Sequence, residues 1–341
     1  MNESGVTFDE AAMRRCWRLT SLAALSMAMV ACTGLPVATL PAAQPMAAGY
    51  LPSKAPQTPQ QVVIPSLDRE RGGQPVMLLG HWTPAVLKQG ARADAAGHDN
   101  AHRGAIMLLH GCSGPYEAAG GLSLRMREYT QRLLERGWSV LVLDSLTPRG
   151  ERELCTQNVG ARKVTQANRR LDAWAGLAWL AAQPGVDAAR LGLIGWSNGG
   201  STVLAALQAD RFAARPSGVP LPAFAVAYYP GCLDISRTRQ GPAAPLLLQL
   251  GQEDDWTPPQ PCQAWAEEVS RAAPSAWAPI DVVSYPGAYH GFDGEAPLRL
   301  RRDVPNGVNR GQGVHVGGDP LARRLSLERL DAWLARFERG A

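Results

Sequence analysis

The sequence predicts an α/β fold: a doubly wound, mostly parallel sheet with helices on both faces. Three observations predict it. Short, continuous apolar runs recur along the chain, as strands buried on both faces should. Segments with helical periodicity lie between those runs. A Gly-x-Ser-x-Gly sequence sits where one apolar run meets a helix-forming segment.

The strand-like runs are Gly104–His110, Trp138–Asp144, Leu191–Gly195, Ala223–Tyr229, Pro245–Leu250 and Ile280–Tyr285. Gln61–Ile64 and Val76–Gly80 read as leading edge strands. In Gln166–Gln183, Leu171, Trp174, Ala175 and Ala178 share one helix face, and Pro184-Gly185 ends the pattern. Leu327, Leu330, Leu334 and Phe337 form a similar stripe in the last helix. In such a sheet, ligands bind outside the carboxyl ends of the strands.

The 341 residues are 45% hydrophobic and 19% charged, which suits one sizeable core rather than a disordered chain. The net charge is +4, and no Lys/Arg cluster is interleaved with aromatics, so nucleic acid is not an expected partner. Arg299–Arg302 reads as a solvated patch in a loop.

The folded domain is expected over 61–341. Ahead of it, residues 1–31 read as an export signal: Arg14, Arg15 and Arg18 precede an apolar run, Leu19–Ala31, too short to span a bilayer. Met29-Val30-Ala31-Cys32 resembles the lipobox of bacterial lipoproteins, which makes Cys32 the candidate for lipidation and the membrane a partner through that anchor. A plain cleaved signal is the alternative. Residues 32–60 hold Pro36, Pro41, Pro45, Pro52, Pro56 and Pro59 and read as a stiff tether. The expected location is exported and periplasmic. Cys112, Cys155, Cys232 and Cys262 remain within the domain, and four cysteines permit three pairings. Zinc-type Cys/His spacings are absent, so neither a metal nor another cofactor is expected.

Gly195-Trp196-Ser197-Asn198-Gly199 follows the run Leu191–Gly195 and precedes the helix-forming Ser201–Gln208. That context is a nucleophile elbow, in which a tight strand-to-helix turn pushes the serine hydroxyl out of the sheet. The pattern makes Ser197 the candidate nucleophile and the architecture an α/β-hydrolase fold. A serine needs a base, and the base needs an acid to orient it. In this fold the order is Ser, acid, His. Only His290 and His315 follow Ser197. His290 lies just past the last strand, whereas His315 lies in a Gly-rich loop without a strand to aim it. The acid should follow Pro245–Leu250, where Glu253, Asp254 and Asp255 stand side by side and composition does not choose among them. The oxyanion needs two backbone donors, expected from Asn198 and from Cys112 in the loop after Gly104–His110.

The segments LLHGCSG (108–114), DSLTPRG (144–150), GWSNGG (195–200), YYPGC (228–232), GQEDDWTP (251–258) and YPGAYHGFD (285–293) together resemble the dienelactone hydrolase family. The resemblance spans about residues 60–340. Its acid motif, G-x-x-D-x-x-x-P, implies Asp254 with Pro258, and its histidine motif implies His290. It also implies Cys112 and Asn198 as oxyanion donors. The namesake enzymes carry Cys where this chain has Ser197, and Glu where it has Gly111. These departures point to the esterase-like branch and to a small ester or lactone as substrate. A peptidase or acyltransferase using the same triad is the alternative among enzymes. A lipoprotein that uses the fold only for binding is the alternative outside them.

Cys112 and Cys155 follow neighbouring strands, Cys232 ends a strand, and Cys262 lies in the loop after the acid, so the expected bonds are Cys112–Cys155 and Cys232–Cys262 at the catalytic rim. Arg149, Tyr229 and Trp256 are candidates for substrate contact, although Arg149 could instead pair with Asp144. The Gly-rich segment Asp293–Pro320 reads as a long loop, a lid or a loose connection.

Overall fold

The computed structural model describes residues 58–85, 103–272 and 277–338. The expected export signal, Cys32 and most of the tether lie outside them.

Strands β1 (Gln60–Arg69) and β2 (Pro75–Thr83) open the domain as an antiparallel pair. β3 (Arg103–Leu109), β4 (Ser139–Asp144), β5 (Val186–Trp196), β6 (Phe224–Tyr228), β7 (Leu246–Gly251) and β8 (Ile280–Tyr285) complete one sheet, in the order β1-β2-β4-β3-β5-β6-β7-β8. β2 pairs antiparallel with β4, and the pairs from β4 to β8 are parallel. β1 therefore runs in the direction of the parallel strands, with Gln60 level with Leu141 in the middle of β4. From β3 the chain turns to β4 on one side, then returns to β5 on the other. That reversal opens a crevice at the carboxyl ends of β3 and β5.

Helices α1 (Leu124–Glu135), α2 (Gln166–Ala181), α3 (Asn198–Leu207), α4 (Ala209–Ala213), α5 (Gln260–Ala272) and α6 (Pro320–Glu338) cover the sheet. Successive residues of β3 point to opposite faces. Ala105, Met107 and Leu109 pack with Leu177 of α2, Leu204 of α3 and Trp265 of α5. Ile106 and Leu108 pack with Met126 of α1 and Trp333 of α6. Both faces of the central strands are thus apolar, which is why their sequences read as unbroken runs. Ser123 caps α1 by accepting the Met126 N–H, and Thr165 and Asn168 cap α2 reciprocally.

Four local expectations are corrected. β2 is interior, and only β1 forms that edge. β5 starts at Val186 rather than Leu191, because the charged Asp187 and Arg190 and the two exposed alanines between them interrupt the apolar run. Cys262 lies in the first turn of α5, not in a loop: the prolines around it suit a helix start, where a missing N–H costs nothing. Arg299–Arg301 is a strand, β9, paired antiparallel with β10 (Val314–Val316). The segment expected as a long loop therefore carries a two-stranded ribbon, each strand too short to show period-2 alternation.

Candidate active site

Ser197 stands between β5 and α3 with φ 52° and ψ −117°, a region that side-chain-bearing residues avoid. Its N–H donates to the Tyr228 carbonyl at 2.9 Å. The glycines around it are steric requirements. A Cβ on Gly199 would lie 1.9 Å from the Leu109 carbonyl oxygen, and one on Gly195 would lie 2.3 Å from the Gly199 oxygen. The elbow is pressed against the end of β3, and only hydrogen fits between them.

The structure brings His290 to Ser197 from the loop after β8. His290 Nε2 lies 2.9 Å from Ser197 Oγ, and His290 Nδ1 lies 2.8 Å from Asp254 Oδ2. Asp254 Oδ1 accepts the N–H groups of Trp256 (2.9 Å) and Thr257 (2.8 Å), and Oδ2 also accepts the Thr257 hydroxyl (3.0 Å). A carboxylate facing donors on every side is an acceptor, so Nδ1 carries the hydrogen and the Nε2 lone pair faces the serine. Ser197, Asp254 and His290 are all buried.

The neighbouring carboxylates face elsewhere. Asp255 Oδ2 lies 2.7 Å from His315 Nδ1, and its Oδ1 accepts the His315 N–H at 2.8 Å. The second histidine is thus held on β10 by the second aspartate. Glu253 is exposed.

On the opposite side of Ser197, β3 runs into His110, Gly111 and Cys112. His110 is buried, with Nδ1 2.7 Å from the Gly111 oxygen and Nε2 accepting the Ser145 N–H at 3.3 Å. The ring is therefore the neutral Nδ1–H form. Burial pushes its pKa well down, and the nearby positive charge of Arg169 pushes it further. Gly111 C=O and Cys112 N–H belong to one peptide, so the ring also fixes how that N–H points. A Cβ on Gly111 would lie 3.4 Å from the Trp196 oxygen and 3.6 Å from Ser197 Cβ, which places this loop alongside the elbow. Asn198 opens α3, and its N–H has no acceptor within the helix.

A cleft of about 970 Å³ opens here, lined by Cys112, Ser197, Asn198, Cys232 and Trp256 among others. The Trp256 ring centroid lies 4.6 Å from that of His290. The other two candidate substrate contacts are placed differently. Arg149 donates to Asp172 (2.8 Å), Asp68 (2.7 Å) and the Ser145 carbonyl (2.7 Å), so its charge is engaged away from the cleft. Asp144 does not pair with it and instead accepts the Leu146 and Thr147 N–H groups. Tyr229 is buried behind His290, at 4.6 Å between ring centroids, with its hydroxyl 2.5 Å from Asp293 Oδ1.

Disulfides join Cys112 to Cys155 and Cys232 to Cys262, and Cys112 and Cys232 both line the cleft. Such bonds belong to chains that fold in an oxidising compartment, extracellular or periplasmic. Among the described residues no helix is long and apolar enough to cross a membrane, and no cluster of three His, Cys, Asp or Glu could hold a metal.

Two residues behind the site escaped the sequence reading. Asp293, three residues past His290, is fully buried and collects Arg125, Tyr129, Trp196 and Tyr229. The motif YHGFD contained it but gave it no role. Arg169 is fully buried in α2 although it lies off the apolar stripe. Periodicity alone places such a residue in solvent.

Solved structures share this fold at low identity. A candidate dienelactone hydrolase from Klebsiella pneumoniae is 19% identical with a TM-score of 0.52, over 81% of this chain and 99% of that one. An esterase of the planctomycete Thermogutta terrifontis, solved with propionate, is 18% identical with a TM-score of 0.53, over 82% and 94%. A promiscuous, dienelactone-hydrolase-like phosphotriesterase from metagenomic libraries is 18% identical with a TM-score of 0.51, over 82% and 99%. The family match is to the sequence itself. The dienelactone hydrolase family model aligns with residues 99–334, from β3 through most of α6, and so the chain that folds this crevice belongs to the dienelactone hydrolase family.

Proposed function

We propose that the protein is a serine hydrolase that cleaves small carboxylic esters or lactones through an acyl-enzyme. The observation that carries this reading is the continuous path from Asp254 through His290 to Ser197, with the imidazole lone pair facing the hydroxyl. As Ser197 Oγ attacks the carbonyl carbon, His290 Nε2 takes the hydroxyl proton and the carbonyl π pair moves to oxygen. The Cys112 and Asn198 N–H groups receive that negative charge. Collapse of the intermediate breaks the C–O bond to the alcohol, which leaves with the proton from His290. Water then attacks the acyl carbon and gives its proton to Nε2. Collapse releases the acid and returns the proton to Ser197. Asp254 keeps the imidazole in the working tautomer throughout. No step calls on a metal or organic cofactor.

The test is hydrolysis of p-nitrophenyl propionate and butyrate, chain lengths suggested by the propionate-bound fold neighbour. Ser197→Ala should lower turnover by at least about a thousandfold and abolish labelling by a fluorophosphonate probe. Undiminished turnover or labelling in that variant overturns the assignment.

The same proposal includes a lipid anchor at Cys32 in the periplasm, supported by the short apolar run and lipobox-like residues ahead of it. Incorporation of labelled palmitate that persists in Cys32→Ala counts against it.

A further inference from the structure

We propose that Arg169 is a positioning residue for the oxyanion hole, a single buried guanidinium that holds both segments carrying the donors. The inference rests on the serine-hydrolase reading and deepens it. Arg169 Nη1 donates to Asn198 Oδ1 at 2.5 Å, and Nη2 donates to the His110 carbonyl at 2.9 Å. One side chain thus spans the crevice at its base. It grips the first residue of α3 on one side and the last peptide before the Gly111–Cys112 loop on the other.

The two grips fix different things. On the β3 side, the His110 carbonyl is held by Arg169 and the Gly111 carbonyl by the His110 ring. Two consecutive peptides are then immobilised, and the second carries the Cys112 N–H. A hydrogen bond to a peptide oxygen also polarises its N–H, which strengthens it as a donor. On the α3 side, the Asn198 side chain is held by Arg169 and its carbonyl by Gln166 Nε2 at 3.1 Å. Gln166 and Arg169 lie one turn apart on α2. A single turn of one helix therefore sets both amide donors.

The charge is unusual as well. Arg169 is fully buried, yet among the described residues it forms no ion pair. Asp172, the acid nearest along α2, is occupied by Arg149 at 2.8 Å and by the Ser66 hydroxyl. The acceptors Arg169 does have are neutral dipoles, and among the described residues its Nε has no partner. Burial lowers its pKa to about 10, against the longer-range pull of Asp172 and Asp144. At rest the fold therefore holds a cation behind the donors without a contacting counter-charge. Negative charge appears on their far side only when the carbonyl oxygen becomes an oxyanion. The interaction is stronger in the transition state than in the ground state, which is the condition for catalysis. Arg169 is not among the residues lining the cleft, so it acts through Asn198 and the His110–Cys112 segment rather than on substrate.

The test compares Arg169→Met, Arg169→Lys and Asn198→Ala with wild type. The last keeps the Asn198 amide and removes only the side chain that Arg169 grips. Thermal melting establishes that each is folded. With p-nitrophenyl butyrate, kcat should fall about 10- to 100-fold in Arg169→Met, less than the loss of a donor outright, while KM stays within about threefold. The Ki of a trifluoromethyl ketone, whose adduct with Ser197 places an alkoxide in the hole, should rise in parallel with the fall in kcat. Arg169→Lys, with the charge but one reach instead of two, should recover part of the loss. Asn198→Ala should show part of it, and pairing it with Arg169→Met should be less than additive.

Folded variants with kcat and Ki within about twofold of wild type overturn the proposal, and so does a rise confined to KM. If Arg169→Met does not fold, Arg169→Lys and Asn198→Ala decide, and unchanged values in both overturn it. A wild type that labels with fluorophosphonate while Ser197→Ala does not keeps the hydrolase reading intact whatever Arg169 does. A wild type that neither labels nor turns over any ester removes both.

Discussion

Trp196 donates its indole N–H to Asp293 Oδ2 across 2.9 Å, which ties the residue before Ser197 to the residue three past His290. Arg125 adds a bidentate pair at 3.1 and 3.0 Å, and the Tyr129 and Tyr229 hydroxyls complete the set at 2.9 and 2.5 Å. Burial works against the charge on Asp293, but the Arg125 guanidinium and the hydrogen bonds outweigh it and hold the carboxyl below its ordinary range. A carboxyl depressed in the folded state stabilises it fully above the unfolded value of about 3.9, and that stability fades as pH falls through and below it. Asp293→Asn keeps the shape but offers a donor to donors. It should cost about 3 kcal/mol or more at pH 7 in a urea melt. The penalty relative to wild type should shrink below about pH 4. A constant penalty down to pH 2 would contradict the role assigned to the charge.

His110 titrates with the same sign but in a higher pH range. Its folded pKa is pushed well below the ordinary 6.5 by burial and by Arg169. As pH drops below about 6.5 the unfolded chain binds a proton that the folded one refuses, so stability should fall by up to about 1.4 kcal/mol per pH unit from this group. His110→Gln, although less stable at pH 8, should lose that share of the slope between pH 7 and 5. Chemical denaturation at several pH values measures it, and an unchanged slope would count against a neutral buried ring.

Asp254 and Asp255 are neighbours in sequence but serve different histidines. Asp254→Asn should lower kcat by about 10³- to 10⁴-fold, because it favours the wrong imidazole tautomer. Asp255→Asn should leave kcat within a few-fold and instead loosen the hold on His315 and the β9–β10 ribbon. Amide hydrogen exchange at 314–316 reads that second effect, and equal kinetic losses in the two variants would refute the division.

Removing a disulfide should separate stability from chemistry. The Cys112–Cys155 bond closes a sequence separation of 43 residues, and Cys232–Cys262 one of 30. Cys112→Ala with Cys155→Ala should cost about 2–4 kcal/mol yet leave measurable turnover, since the role proposed for position 112 needs only its backbone N–H. Turnover that vanishes in a protein still folded by circular dichroism would mean that the bond itself shapes the hole.

Gly199→Ala should abolish activity and severely reduce folded yield, because the new methyl would overlap the Leu109 carbonyl at 1.9 Å. Gly160→Ala is the control: nothing lies within 4 Å of a Cβ there. Comparable yields for the two variants would show that the elbow can relax.

Much of this site was legible in the sequence because its signals are local. The turn at Ser197 demands its own glycines, and the chain order Ser, acid, His left His290 as the strand-end base. The acid was not legible from composition, since Glu253, Asp254 and Asp255 differ only in where a turn aims them. Here the Trp256 and Thr257 N–H groups turn Asp254 inward. Arg149 misled for a related reason. Its place after a strand suggested substrate contact, but Asp68 and Asp172 reach it from other elements, and no local pattern announces that convergence. Arg169 and Asp293 were hidden in the same way, as polar residues whose partners are gathered only by the fold.

The edge position of β1 sets how the protein can be handled. Gln60 starts that outermost strand, three strand positions from β3 and four from β5, whose carboxyl ends bound the cleft. A solid support coupled at Gln60 therefore grips the enzyme at the flank of the sheet and leaves the cleft facing the solution. Coupling through β9 or β10 would instead put the support beside the entrance, because Asn306 and Gly307 in the connection between them line the cleft.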